Sequence, residues 1–152
     1  MPTTRVRDAA RVIILDEANR ILLMCYGEDD EVYWGTPGGA LEPGETHVQA
    51  AVRELSEELG IEAEIGAEVA TREKDHLILG EHVRQVERYF IAQIPAQDVE
   101  QGHATDTDNI LCWEWWELSE LDSTNQTVYP AGLADLVMQY LTDGAPDLPI
   151  VL

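Results

Sequence analysis

The sequence predicts an α/β fold of the α+β kind, a mixed β-sheet with helices packed against it. Three observations carry that expectation. Short β-branched and aliphatic runs lie both before and after one well-marked amphipathic helix, and a second helical pattern closes the chain. The 152 residues are 45% hydrophobic, enough for the core of a single domain, expected to span residues 1–152. Strands, helix, strands, helix is the order of a mixed sheet rather than of a bundle or an all-β sandwich.

Taken in order, Val12 to Leu15 and Ile21 to Tyr26 are apolar runs separated by the polar turn Asp16-Glu17-Ala18-Asn19-Arg20, the pattern of a hairpin. The turn-rich "GEDDEVYWGTPGG" reads as a loop entering a short strand near Tyr33 and Trp34. "IEAEIGAEVATRE", "HVRQVERYFIAQI" and "NILCWEWWEL" read as further strands, and "PAGLADLVMQYL" has the i, i+3, i+4, i+7 spacing of a closing helix. On the last strand Trp113 and Trp115 must share a face, with Trp116 opposite, because side chains alternate.

The first helix is the best defined element. Thr46 followed three residues later by Gln49 is a capping box, and Gly60 suits the left-handed position after a helix end, so the helix is expected from His47 to Leu59. At about 100° per residue Val48, Ala51, Val52, Leu55 and Leu59 form one stripe, expected to face the core. Glu54, Glu57 and Glu58 are expected together on a separate face, with Arg53 reaching Glu57 at i+4. Like charges so spaced cost a helix about 0.3 kcal/mol per pair, so stability alone would scatter them. A hard divalent cation reverses that balance, since Mg²⁺ takes oxygen ligands from one or two carboxylates, water and phosphates. The preceding "GTPGG" lets the backbone approach the same ion or a phosphate. The competing reading is a solvated helix face in a very acidic protein.

The spacing decides between them. Gly39, then Glu45, then Arg53-Glu54-Leu55-Ser56-Glu57-Glu58-Leu59-Gly60-Ile61 matches the signature of the Nudix hydrolase family, and the flanking "ARVIILD", "RILLM", "WGTPGGALEPGE" and "WWELSEL" resemble its MutT-type branch. The resemblance implies an α/β/α sandwich around a mixed sheet and hydrolysis of a nucleoside diphosphate linked to another group: a nucleoside triphosphate, ADP-ribose or a nucleotide sugar. It implies Mg²⁺ or Mn²⁺ on Glu54, Glu57 and Glu58 with a backbone carbonyl at or beside Gly39, Arg53 orienting a carboxylate, Glu45 bracing Arg53 and its loop, and Gly60 ending the helix. Such a site would polarise phosphorus and activate water while a carboxylate takes the proton.

Glu54 is the first choice for that base. Glu87, Asp106 and Asp108 are the candidates outside the box, where the late loop offers aspartates and Asn109 in place of an expected glutamate. Trp34 and Arg11 are candidate substrate contacts, a stacking plane and a positive charge, although a Trp at a strand end is more often core. Arg84, Arg88 and His47 are weaker candidates.

Charge excludes several other functions. Nine Lys and Arg against 30 Asp and Glu give a net charge of -21 and a pI near 4.2, which repels nucleic-acid polymers and anionic membranes. With no export signal, the expected setting is cytoplasmic, the partner a small nucleotide, the assembly a monomer or homodimer, and Cys25 and Cys112 reduced, buried thiols. An intact set of box acids favours an enzyme over the alternative, a catalytically silent nucleotide-sensing module on the same fold.

Overall fold

The computed structural model describes residues 5–28, 30–102 and 109–152. Along the chain come β1 (Arg5–Leu15), β2 (Ile21–Glu28), β3 (Glu31–Gly35), β4 (Gly38–Ala40), α1 (His47–Leu59), β5 (Glu68–Ile78), β6 (Glu81–Gln93), α2 (Ala96–Glu100), β7 (Ile110–Trp116), α3 (Leu118–Ser123), β8 (Val128–Tyr129), α4 (Leu133–Asp143) and β9 (Ile150–Val151). The strands form one mixed sheet in the order β8-β3-β2-β1-β6-β5-β9, with β4 on β1 and β7 on β2.

The two central strands are buried on both faces, so they read as continuous apolar runs rather than as alternating ones. Ile13, Leu15, Ile21 and Leu23 face one core, shared with Leu121 of α3 and Leu133, Leu136 and Val137 of α4. Val12, Ile14, Leu22 and Met24 face the other, shared with Ala51, Leu55 and Leu59 of α1 and Val99 of α2. Helices on both faces of a mixed sheet make the expected α/β/α sandwich. The tryptophans alternate as expected, Trp116 packing edge-on against Trp34 at 5.2 Å while Trp113 and Trp115 join the α1 side.

What opens the site is the early parting of β1 and β2. Their hairpin is tied by Asp16, which is buried and accepts from the backbone N–H of Ala18 and Arg20 and from the Arg20 side chain. Beyond the Leu15↔Ile21 rung, β2 turns to pair with β3 and β7, whereas β1 runs parallel to β6 from Arg5↔Val83 to Leu15↔Gln93. β4 then returns to the free edge of β1, pairing Ala9, Ala10 and Arg11 with Ala40, Gly39 and Gly38.

Four expectations change. The stretch from Ile61 to Ala67 is irregular and β5 starts only at Glu68; Gly66 N–H donates to the Ile91 carbonyl at 2.7 Å, and the chain enters the sheet through a bulge between Glu68 and Ala70. On α1 the buried stripe is rotated: Val48 and Val52 are 44% and 39% exposed, while Ala50, Ala51, Leu55, Glu58 and Leu59 are buried. The helix leans on β4 with its glutamate side, so the acids and the apolar stripe share a boundary instead of lying on separate faces. Cys25 is buried but Cys112, its cross-strand partner on β7, is exposed. The short elements β4, α2, α3, β8 and β9 carry too few residues for a periodic signal. Among the described residues no helix is long and apolar enough to cross a membrane.

Candidate active site

The turn from Thr36 to Gly39 is pressed onto β1. Pro37 accepts from Val12 N–H at 2.9 Å, and Gly38 sits at φ 134°, where a Cβ would stand 2.1 Å from the Ala10 carbonyl oxygen. Only glycine fits that approach. The turn leads through β4 into α1, whose capping box closes on both sides, Gln49 N–H to Thr46 Oγ1 at 3.1 Å and Thr46 N–H to Gln49 Oε1 at 2.9 Å. Gly60 ends the helix at φ 68°.

Arg53 organises the acids. Nε donates to Glu45 Oε2 at 2.8 Å, Nη2 to Glu45 Oε1 at 2.9 Å and to the Ala40 carbonyl at 3.0 Å, and Nη1 to Glu54 Oε1 at 3.0 Å and Glu57 Oε2 at 3.3 Å. All five guanidinium donors are thereby engaged. Arg53 and then the Glu42 backbone pull the Glu45 carboxyl down to about 2. Glu54 lies over Gly39, where a Cβ would meet its Oε1 at 2.6 Å. Glu58 is buried at the sheet side of the helix and accepts from Gly38 N–H at 3.3 Å. Burial, and after it the adjacent Glu54 carboxylate, push the Glu58 carboxyl up to about 8.

The sequence placed Glu54, Glu57 and Glu58 in one volume; the fold brings Glu54 and Glu58 into contact and leaves Glu57 beyond the Arg53 guanidinium. Among the described residues no group of three carboxylate, imidazole or thiol side chains stands ready to enclose an ion as the side chains rest. The donor chemistry nevertheless fits a hard cation: two hard-oxygen carboxylates crowded together, one of them raised by burial and by its neighbour, beside a backbone bared by two glycines.

These acids form one wall of a cleft of about 1050 Å³. Facing them, on β1, β5 and β6, lie Arg11, Arg72, Glu87 and Tyr89. Arg11 donates Nε to Glu87 Oε2 at 2.9 Å and Nη1 to the carbonyls of Thr36 at 3.3 Å and Gly38 at 3.2 Å. Arg72 donates to Glu87 Oε1 at 3.0 Å, and the Tyr89 hydroxyl lies 3.3 Å from the same oxygen. Burial raises the Glu87 carboxyl, but Arg11 and Arg72 outweigh it and hold the group below its ordinary value. Both of its oxygens are occupied, Oε2 by Arg11 and Oε1 by Arg72 and Tyr89. The third side of the cleft is aromatic: Tyr26 stacks on Tyr33 at 5.3 Å, and Tyr129 meets Tyr33 edge-on at 5.6 Å.

Among the other candidates, Arg11 reaches the site, but Trp34 belongs to the core, its Nε1 donating to Gln126 at 2.8 Å. Arg84 pairs with Glu73 and Arg88 lies 4.0 Å from Glu68, both outside the cleft, as is His47. Asp106 and Asp108 lie outside the described residues. Tyr26, Tyr33, Arg72, Gln85 and Tyr129 went unread in the sequence. Their one signal was alternation, since Arg7 and Arg11, like Arg72 and Lys74, fall on one face of a strand.

Residues 5–137 match the NUDIX domain family. The chain belongs to the Nudix hydrolase family. Within that family it is 23% identical over 125 residues to an RNA pyrophosphohydrolase of Pelagibacter ubique, covering 76% of this chain and 79% of that one. It is 49% identical over 47 residues to a CTP pyrophosphohydrolase of Escherichia coli K12, covering 31% and 35%. The chain thus spans half the length or less of two of the curated relatives it matches. Among solved structures, a MutT protein of Methanosarcina mazei Go1 shares the Nudix fold at a TM-score of 0.69, with 18% identity over 93% of this chain and 97% of that one. The fold and the family are those the box and its flanks resemble.

Proposed function

We propose that this Nudix chain hydrolyses the diphosphate linkage of a nucleoside diphosphate derivative, using Mg²⁺ or Mn²⁺ held by Glu54, Glu57, Glu58 and a carbonyl at or beside Gly39. The observation that carries this reading is the fully engaged Arg53, which fixes Glu54 and Glu57 beside the buried Glu58 and the bared Gly39 backbone. A bound divalent cation supplies charge neutralisation at the phosphate oxygens and lowers the pKa of a coordinated water.

The chain's own residues do the rest. Glu54, with one oxygen held by Arg53, takes the proton from the attacking water. Glu45 keeps Arg53 in place and needs no contact with substrate. Arg11, bound to the carbonyls of Thr36 and Gly38, stiffens the turn on which the reacting phosphate would rest and adds positive charge to it. The tyrosine wall offers a plane for a base, and the cleft walls set which nucleoside derivative is accepted. The protein is read as working in the cytoplasm, on small nucleotides, as a monomer or homodimer.

The test is turnover of a panel containing nucleoside triphosphates, 8-oxo-dGTP, ADP-ribose, UDP-glucose and a diadenosine polyphosphate with Mg²⁺ or Mn²⁺, resolved by mass spectrometry. Activity abolished by EDTA and lost in Glu54→Gln and Glu58→Gln is expected. No turnover, with a nucleotide still raising the melting temperature, would replace the enzyme with the silent sensor.

A further inference from the structure

The cleft collects positive charge out of proportion to the chain. Five of the nine basic residues, Arg7, Arg11, Arg53, Arg72 and Lys74, line it, and Lys74 is the sole lysine. Three of the five are accounted for: Arg53 serves the box acids, and Arg11 and Arg72 share Glu87. Arg7 and Lys74 have no carboxylate partner among the described residues. Arg7 makes one long bond, Nη1 to Gln85 Oε1 at 3.4 Å, and Lys74 Nζ lies 5.1 Å from the centre of the Tyr129 ring.

These two cations are neighbours by register. Gln85 on β6 stands opposite Arg7 on β1 and opposite Lys74 on β5, so the three side chains form one row across three strands on the cleft face. Both side chains are exposed, and with Gln85 between them they present to the cleft a row of positive charge that no carboxylate among the described residues neutralises, a place where an anion can dock. The row is also well removed from the box. Arg11 marks the level at which β1 meets the Gly38 turn, and Arg7 lies four residues further along the same strand, about 13 Å away. A diphosphate, whose phosphorus atoms are only a few ångströms apart, cannot occupy both places.

We propose that the Arg7, Gln85 and Lys74 row is a subsite for a second phosphate of the substrate, separated from the scissile diphosphate by a nucleoside. The nucleoside spans the tyrosine wall, and the distal phosphate takes the Arg7 guanidinium and the Lys74 ammonium as partners. Such a phosphate is either a terminal 3′-phosphate or the link to a following nucleotide. The identity of the first group rests on the hydrolase reading; the anion site itself does not.

Two measurements test this. In the first, kcat/KM is compared for ATP, adenosine 3′-phosphate 5′-triphosphate and a 5′-triphosphorylated dinucleotide. The wild type is expected to favour at least one phosphate-extended substrate over ATP by about tenfold or more through KM, and the Arg7→Gln/Lys74→Gln double variant to bring that ratio near one, with Lys74→Arg retaining it. Preference for the mononucleotide assigns a terminal phosphate, and preference confined to the dinucleotide assigns a linking one; either supports the subsite. In the second, calorimetry in Mg²⁺ buffer compares adenosine 3′,5′-bisphosphate and a 5′-monophosphorylated dinucleotide with AMP, with tighter binding of at least one of the two phosphate-extended ligands expected in the wild type only. This arm decides even if no substrate is turned over, so loss of the hydrolase reading and loss of the subsite are separable. Equal binding of all three ligands by the wild type, or a preference that survives in the double variant, overturns the proposal.

Discussion

Arg53 and Glu45 are joined by two parallel hydrogen bonds, Nε to Oε2 at 2.8 Å and Nη2 to Oε1 at 2.9 Å, across one turn of loop and two turns of helix. The fork leaves Nη1 aimed at Glu54 and Glu57, so the loop before α1 controls the acids at its far end. A lysine has the charge but not the geometry. Arg53→Lys is expected to stay folded and to lose about 10- to 100-fold in metal affinity or activity, the usual cost of removing a support of ligating side chains. Mg²⁺ titrations of steady-state rates would check this, and an unchanged midpoint and rate would refute the bracing role.

Gly39 and Gly44 make a contrasting pair. A Cβ on Gly39 would enter the Glu54 carboxylate, whereas one on Gly44, at φ 79°, meets nothing within 4 Å. Gly39→Ala should therefore displace Glu54 and lower kcat by about 100-fold with a modest change in melting temperature. Gly44→Ala should cost about 1 kcal/mol of stability through its left-handed backbone while activity holds. Thermal melts and kinetics on the two variants together separate these effects.

Glu58 gives the metal-free protein a characteristic pH dependence. Its carboxyl is held at about 8 in the folded chain against an ordinary value of 4.5, so above pH 4.5 the unfolded chain releases a proton that the folded chain keeps. Stability should thus fall as pH rises from about 4.5 to about 8 and then level off. Glu58→Gln should flatten that fall in melts run with EDTA. A cation that needs the deprotonated carboxylate should bind more tightly across the same interval, with proton release measurable by calorimetry in buffers of different ionisation enthalpy.

Glu87 separates a clamp from a base. Its side chain is 4% exposed and holds Arg11 and Arg72, so Glu87→Gln leaves two partly buried cations without their counterion. The expected loss of stability is about 3 kcal/mol, read as a lowered denaturation midpoint. A normal midpoint with a collapsed kcat and an altered pH-rate profile would instead assign Glu87 to proton transfer.

Local chemistry is legible because it is written in consecutive residues. The bounds of α1, both bonds of its capping box and the left-handed Gly60 all depend on residues a few positions apart, whereas the brace from Glu45 to Arg53 was implied by the family resemblance alone. The same holds for the alternation of Trp113, Trp115 and Trp116, a property of any extended strand. The rotated stripe on α1 was misread because Val48 and Val52 look like core residues until β4 is present. Glu58 docks against the Gly38 N–H and so sets which side of the helix is down.

The opposite wall of the cleft has no such local rule. Arg11, Glu87 and Arg72 are separated by 76 and 15 residues along the chain, and Tyr26, Tyr33 and Tyr129 come from three strands. They meet because β1 leaves β2 after one rung and pairs in parallel with β6, a choice of partner made by burial on both sheet faces. The sequence by itself determined the box, its helix and the chemistry that its carboxylates can support. The tertiary structure decided that Glu54 and Glu58 are the close pair, that Glu87 is bound by Arg11 and Arg72 and Trp34 is core, and that the lone lysine faces the same cleft as the acids. Periodicity specifies which face of an element is apolar, whereas strand order, set by the packing of all the elements at once, specifies which distant side chains become neighbours.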